Sequence, residues 1–361
     1  MKIVIAGGGT GGHFFPAVAV IEEFVKTGNE VLYIGTEKGI EYRKSDLIPC
    51  EKIFINVSGV RGKTPLKMLK GSFSLIASTL KVISIINRFK PDRVLIFGGY
   101  VSLPAGFAAR LTDTPLIIHE QNSIPGKTNK LLSKFASKIL IANEYCRRFF
   151  PDGVLTGNPL RKEIRECKLS KELARNILKL DRDKFTILIF GGSQGAQFLN
   201  QIAPAAVALL KDLISKIQIV HISGEGKEKG LVERYKNLGV KALVTPFTEK
   251  PWLLYKSANV AVSRSGALAI SELSYFGIPS IFVPYPFAVD DHQYFNAKPI
   301  ADRKGCFLVR QNEIDSKKLA NLLKKLYTDG TLRDSFSSVM KSFAIPDATL
   351  KVVREMENAG S

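Results

Sequence analysis

The chain has 361 residues, 45% of them hydrophobic and 24% charged, with a formal net charge of +19. That length suggests two domains of ordinary size, and that composition excludes a disordered chain. No apolar run reaches the ~18–20 residues of a membrane span, and the four cysteines (Cys50, Cys146, Cys167, Cys306) lie far apart without C-x-x-C spacing, which fits reduced thiols rather than a zinc site or a disulfide framework.

Met1–Ala6 (MKIVIA) reads as a short buried strand, without the basic region and apolar segment of a signal peptide. GGGTGGHFFP follows at 7–16, and Ala17–Val25 then has helical apolar spacing that ends near Thr27-Gly28-Asn29. Strand, glycine loop and helix begin a βαβ unit, and the peptide N–H groups at such a helix start favour phosphate. Gly7, Gly9 and Gly12 formally satisfy G-x-G-x-x-G. A nicotinamide enzyme, with Glu37 after the second strand (EVLYIG, 30–35) on the ribose, is therefore one reading, and a tight turn without ligand is another. His13 stands at the edge of this loop.

Between Glu51 and Asp92 there is no acidic residue, whereas Lys52, Arg61, Lys63, Lys67, Lys70, Lys81, Arg88 and Lys90 are basic. Inside this stretch lies SFSLIASTLKVISIINRF, an apolar helix-like segment. It reads either as a core helix with solvated lysines or as a face for an anionic membrane surface. The charge alone would permit nucleic acid, but no basic and aromatic interleaving accompanies it. Residues 93–97, 115–119, 138–142 and 153–156 read as further short buried strands. IFGGYVS (96–102) makes a second glycine turn with Tyr100, and HEQNSIPGKTN (119–129) places His119, Glu120, Gln121 and Asn122 together where a strand ends. GNPLRKEI (157–164) reads as a linker.

FTILIFGGSQGA (185–196) repeats the opening plan: GGSQGA aligns with GGGTGG and ILIF with IVIA, 184 residues apart without gaps. A helix is expected over Gln197–Leu210, with strands at 217–224, 241–244, 259–263 and 280–284, and a last helix over Leu350–Asn358. Strand and helix alternation in both halves predicts parallel sheets covered on both faces. The fold class is thus α/β, two doubly wound domains facing a cleft, with ligands at the carboxyl ends of the strands.

In SRSGALAISE (263–272) a helix begins near Ala267 and Glu272 lies one turn beyond Leu268. A carboxylate there can accept two hydrogen bonds from a vicinal diol such as ribose, or simply complement the helix start. PYPFAVDDHQYFNA (284–297) gathers Asp290, Asp291, His292, Gln293 and Asn296. Two adjacent carboxylates and one histidine make no convincing metal set. Asp181-Arg182-Asp183 is a formal D-x-D in a polar turn and reads as structural.

Taken together and in this order, GGGTGGHFFP, GGYVSLP, HEQNSIPGKTN, TGNPLR, GGSQGA, SRSGALAISE and DDHQYFNA resemble the bacterial peptidoglycan glycosyltransferases that add N-acetylglucosamine to lipid-linked muramyl-pentapeptide, converting lipid I to lipid II. The resemblance covers nearly the whole chain. It implies a GT-B architecture: residues 1–160 as the acceptor and membrane side, 161–344 as the UDP-sugar side, and a final helix in 345–361 returning to the first domain. It implies direct displacement with inversion, no metal and no cofactor, and peripheral attachment to the cytoplasmic face of the cell membrane. It also assigns residues. Glu272 would hold the ribose, and Ser193, Ala267 and Leu268 the diphosphate. The backbone near Phe247 and Thr248 would take uracil, and Gln293 the sugar hydroxyls. Thr10, Gly11, Gly12, Asn122 and Arg161 would reach the donor from the other side. Tyr100, His119, Glu120 and Asn129 match positions tied to activity or the acceptor side. The role of His292 stays open, because the family varies there. His13, beside the phosphate loop, is the candidate base, with a structural role or an acceptor-diphosphate contact as alternatives. A related transferase using UDP-galactose and diacylglycerol, and a non-catalytic membrane-binding module, are the competing functions.

Overall fold

A computed structural model describes residues 1–57, 65–192 and 196–358, with backbone alone for 65–70. Arg61 and Lys63 of the basic stretch, and Ser193 of the second glycine loop, lie outside the described residues. The chain divides into one compact unit of Met1–Lys162 with Ile345–Ser361 and a second of Glu163–Ala344.

The first unit carries β1 (Lys2–Ala6), β2 (Glu30–Thr36), β3 (Glu51–Ile55), β4 (Arg93–Ile96), β5 (Leu116–Glu120), β6 (Lys138–Ile141) and β7 (Val154–Leu155), in the order β3-β2-β1-β4-β5-β6-β7. Every described pairing is parallel; Val4, for example, sits beside Leu32 on one side and Val94 on the other. The second unit carries β8 (Phe185–Phe190), β9 (Ile217–Ile222), β10 (Lys241–Thr245), β11 (Val260–Ser263), β12 (Ser280–Phe282) and β13 (Cys306–Leu308), again parallel, in the order β10-β9-β8-β11-β12-β13. The central strands are fully buried, which explains why they read as unbroken apolar runs rather than alternating ones. In both units the strand order reverses beside the first strand, so β1/β4 and β8/β11 are the switch points where a crevice opens.

Sequence reading missed β3 and β13. Both are edge strands, one rich in charge and the other three residues long. The first helix spans Gly11–Lys26, starting well before its apolar period becomes visible and containing Pro16. Glycine and proline hide a helical pattern, yet the helix tolerates this proline near its start. The cost is one lost backbone hydrogen bond, from residue 16 to the Gly12 carbonyl.

The segment 157–164, expected as a linker, contains the boundary between the units at Lys162/Glu163, and its first four residues are buried. A Cβ on Gly157 (φ +81) would meet Ile345 Cβ at 2.6 Å, and Thr349 Oγ1 donates to the Leu160 carbonyl at 3.2 Å. The helix Ala348–Asn358 buries Val352, Val353 and Met356 in the first unit, and Glu355 pairs with Lys138 at 2.8 Å.

Candidate active site

At the β1/β4 switch of the first unit, two glycine turns meet. Gly9 (φ +81), Gly98 (φ +95) and Gly99 (φ +82) hold backbone conformations that favour glycine. A Cβ on Gly99 would lie 2.6 Å from the Gly8 carbonyl oxygen, so the turns touch backbone to backbone. His13 stands in the first turn of the helix, its Nδ1 3.2 Å from both the Gly8 carbonyl oxygen and Thr10 Oγ1. A Cβ on Gly98 would sit 3.3 Å from His13 Nε2 and 3.4 Å from both amide atoms of Asn129, which puts these three residues on one wall. Tyr100 is 40% exposed at the same turn. Gly11 and Gly12 open the helix, and the Arg161 guanidinium lies 4.5 Å over the Phe15 ring.

The loop after β5 is a buried hydrogen-bond lattice. Glu120 accepts from the Asn122 N–H at 2.8 Å and Nδ2 at 3.1 Å through Oε1, and from Gly126 N–H at 3.0 Å and Asn129 Nδ2 at 2.8 Å through Oε2. Its carboxylate therefore ties both ends of the 120–129 loop. His119 is fully buried; its Nε2 donates to the Gly157 carbonyl at 2.9 Å, and its Nδ1 accepts from Gln121 Nε2 at 3.1 Å. Burial pushes this imidazole down to about 4, so it is neutral near pH 7 and serves as scaffold. His119, Glu120 and Asn129, matched above to the acceptor side, thus sit beneath the surface. Asn129 Oδ1 is buried and, among the described residues, finds no hydrogen-bond partner, a polar atom of the kind a ligand or water satisfies.

Sequence reading passed over Glu41. This fully buried carboxylate accepts from the Gly9 N–H at 2.8 Å, the Thr36 N–H at 3.1 Å and Thr36 Oγ1 at 2.5 Å. Its sole sequence signal is the glycines around it: a Cβ on Gly8, Gly35 or Gly39 would lie within 3 Å of its side chain.

In the second unit, Gly192 (φ +86) belongs to the loop after β8, and the helix Gln197–Ala208 follows. Asn200 on that helix accepts from His221 Nε2 at 3.0 Å and donates to the Ser223 carbonyl at 2.9 Å, while His221 Nδ1 meets Tyr235 Oη at 2.9 Å. These bonds tie the helix to β9 and to the chain just after it. After β11, Gly266 caps the helix Ala267–Phe276, so Ala267 and Leu268 supply first-turn N–H groups, which carry the positive end of the helix dipole. Glu272 is buried on this helix and accepts from Tyr255 Oη at 2.6 Å. Arg264 precedes the turn, buried, donating to the carbonyls of Val283 and Pro284 and to Gln311. Burial lowers its guanidinium to about 10, still charged near neutrality. Gln293 accepts from the Tyr285 N–H at 3.0 Å, and Thr248 Oγ1 accepts from the Lys250 N–H at 3.1 Å. His292 Nδ1 donates to the Val289 carbonyl at 2.8 Å, and Asp291 pairs with Arg310 at 2.7 Å. Asp181 of the D-x-D pairs with Lys241 at 2.6 Å and Lys184 at 3.2 Å.

Two parallel, doubly wound units, each with a glycine loop at its switch point, define a glycosyltransferase of the GT-B class. The glycosyltransferase family 28 N-terminal domain matches residues 3–141 and the family 28 C-terminal domain residues 186–347. The UDP-N-acetylglucosamine–N-acetylmuramyl-(pentapeptide) pyrophosphoryl-undecaprenol N-acetylglucosamine transferase of Aquifex aeolicus is 45% identical over 98% of this chain and 99% of its own. The protein of the same name from Pelobacter propionicus is 38% identical over 99% of each. Among solved structures, Acinetobacter baumannii MurG is 31% identical and superimposes with a TM-score of 0.79 over 99% of both chains. The chain belongs to glycosyltransferase family 28.

Proposed function

We propose that this protein transfers N-acetylglucosamine from UDP-N-acetylglucosamine to the C4 hydroxyl of undecaprenyl-diphosphate-linked muramyl-pentapeptide, with inversion. The observation that carries this reading is the 45% identity, along nearly the full length of both chains, with a transferase named for that donor and acceptor. The acceptor oxygen attacks the anomeric carbon, the sugar–phosphate bond breaks, and UDP leaves with the bonding electrons. The hydroxyl proton passes to His13 Nε2, because the Gly8 carbonyl can only accept and so keeps the ring hydrogen on Nδ1.

On the donor side, Glu272 takes the ribose hydroxyls, braced by Tyr255. Ser193 and the helix start at Ala267 and Leu268 receive the diphosphate, backbone near Thr248 the uracil, and Gln293 the sugar hydroxyls. Thr10, Gly11, Gly12, Asn122 and Arg161 complete donor binding, and Tyr100 faces the acceptor. Oriented amides at helix starts stabilise the departing charge in place of a cation.

Among the described residues no helix is long and apolar enough to cross a membrane. Attachment is peripheral, on the cytoplasmic face, through the stretch 61–90. Its helix Pro65–Phe89 turns Phe73 (66% exposed), Ile76 (58%) and Leu80 (62%) to solvent at i, i+3, i+7 spacing, while Val82, Ile85 and Ile86 are buried beneath. An exposed apolar stripe within a stretch whose sequence is rich in lysine and arginine suits an anionic bilayer.

Release of UDP from UDP-N-acetylglucosamine in the presence of a lipid I analogue, with and without chelator, tests the reading. Turnover should persist in chelator. Faster turnover of UDP-galactose with diacylglycerol, or no UDP release at all, would replace it with the competing functions.

A further inference from the structure

We infer that Glu41 is a positioning residue for His13, acting through the peptide bond between Gly8 and Gly9. The Gly9 N–H donates to Glu41 Oε2 at 2.8 Å. The Gly8 carbonyl oxygen, at the other end of that same peptide unit, faces His13 Nδ1 at 3.2 Å. Carboxylate, peptide group and imidazole therefore form one line of hydrogen bonds. The inference rests on the proposed role of His13 as base.

The surroundings of Glu41 are built for a carboxylate. It is fully buried, and among the described residues its hydrogen bonds come from two peptide N–H groups and the Thr36 hydroxyl, none from a cation. Three glycines enclose it: an added Cβ would stand 2.4 Å from Glu41 Cδ at Gly8, 2.9 Å from Cγ at Gly35 and 2.0 Å from Oε2 at Gly39. Desolvation and the nearby Glu41 charge together hold the buried Tyr33 phenol well above its ordinary value. That phenol in turn donates to the Gly7 carbonyl. Both side chains thus grip the glycine loop from its inner side.

A buried negative charge on the N–H end of a peptide group polarises it and makes its carbonyl a stronger acceptor. Here the carbonyl so strengthened fixes the Nδ1–H tautomer of His13, leaving the ring lone pair on Nε2, which lies on the wall shared with Gly98 and Asn129. In serine hydrolases a carboxylate orients its histidine directly; in this chain one peptide unit stands between them. It also stiffens the loop, since Gly9 at φ +81 would otherwise have many conformations to choose from.

Glu41→Gln keeps the shape and removes the charge. The expected result is a fall in kcat of at least about tenfold, the loss seen when the outer hydrogen-bond partner of a metal-bound histidine is removed. The KM for UDP-N-acetylglucosamine should stay within about twofold, and 15N NMR of the ring should show His13 leaving the single Nδ1–H form. Gly39→Ala is the second variant, for use if the first fails to fold. Its φ of −80 suits alanine, and its Cβ would displace the carboxylate, so the same changes are expected. An unchanged His13 tautomer in the folded variants overturns the inference, as does unchanged kcat in Glu41→Gln when His13→Ala is inactive. If His13→Ala itself turns over normally, the base assignment falls, and the NMR result still decides whether Glu41 governs the ring.

Discussion

The Tyr255 hydroxyl donates a 2.6 Å hydrogen bond to Glu272 Oε2, joining the helix Pro251–Ser257 to the helix Ala267–Phe276. Both side chains are buried, so the fold itself fixes the position of Glu272. A hydrogen bond to a charged group contributes roughly 1.5–3 kcal/mol. Tyr255→Phe should therefore raise the KM for UDP-N-acetylglucosamine by about tenfold or more while changing kcat little, and Glu272→Ala should raise it further. Steady-state kinetics with varied donor reads both; a lowered kcat at unchanged KM would place Tyr255 elsewhere in the cycle.

His13→Ala should lower kcat by about 10²–10⁴-fold, the usual worth of a general base. Calorimetric titration with UDP-N-acetylglucosamine should give an affinity within about twofold of the parent protein. Retained turnover would exclude His13 as the base.

Replacing Phe73, Ile76 and Leu80 together by serine should abolish most binding to anionic vesicles. Each apolar side chain contributes up to about 1.5–3 kcal/mol when moved from water into lipid. Because all three are exposed, the melting temperature should hardly move. Vesicle sedimentation beside a melting curve checks this, and undiminished sedimentation would remove the helix from the membrane contact.

His119 and His221 are each held by burial at about 4 in the folded chain, below their ordinary value of 6.5. Each favours the fold fully above pH 6.5, and that contribution is lost as pH falls toward 4. For a fully buried ring the difference is worth roughly 3 kcal/mol. Denaturant unfolding from pH 7 to pH 4.5 should show falling stability. His119→Gln should be less stable at pH 7, with a shallower pH slope; an unaltered slope would contradict the burial argument.

Gly99→Ala should be severely destabilising or inactive, because its Cβ would sit 2.6 Å from the Gly8 carbonyl oxygen at a φ of +82. Gly126→Ala, whose Cβ meets nothing within 4 Å at a φ of −63, is the tolerated control. Melting temperatures and turnover of the pair compare directly.

Much of the architecture is local enough to read from the chain. Buried parallel strands are unbroken apolar runs, and glycines mark the loops after β1, β4 and β8, so the two doubly wound units were legible, whereas the strand order that sets their switch points was not. The place of Glu272 on the helix after β11 was legible too, since strand, glycine turn and helix fix it by spacing alone. The strand β3 was not, because charged residues interrupt its apolar run, and β13 was not, because three residues are too few to show a pattern; nor was the early helix start under Gly11, Gly12 and Pro16.

Other assignments depend on contacts between distant residues. Glu41 reaches Gly9 across 32 positions and His119 reaches Gly157 across 38, and no periodicity encodes either pairing. Residue types and spacing determined by themselves where the buried strands and glycine loops fall, because those follow from backbone conformation and local burial. Which polar side chains face a ligand and which brace the backbone was decided only by the folded chain, because a hydrogen-bond partner is chosen by proximity in space.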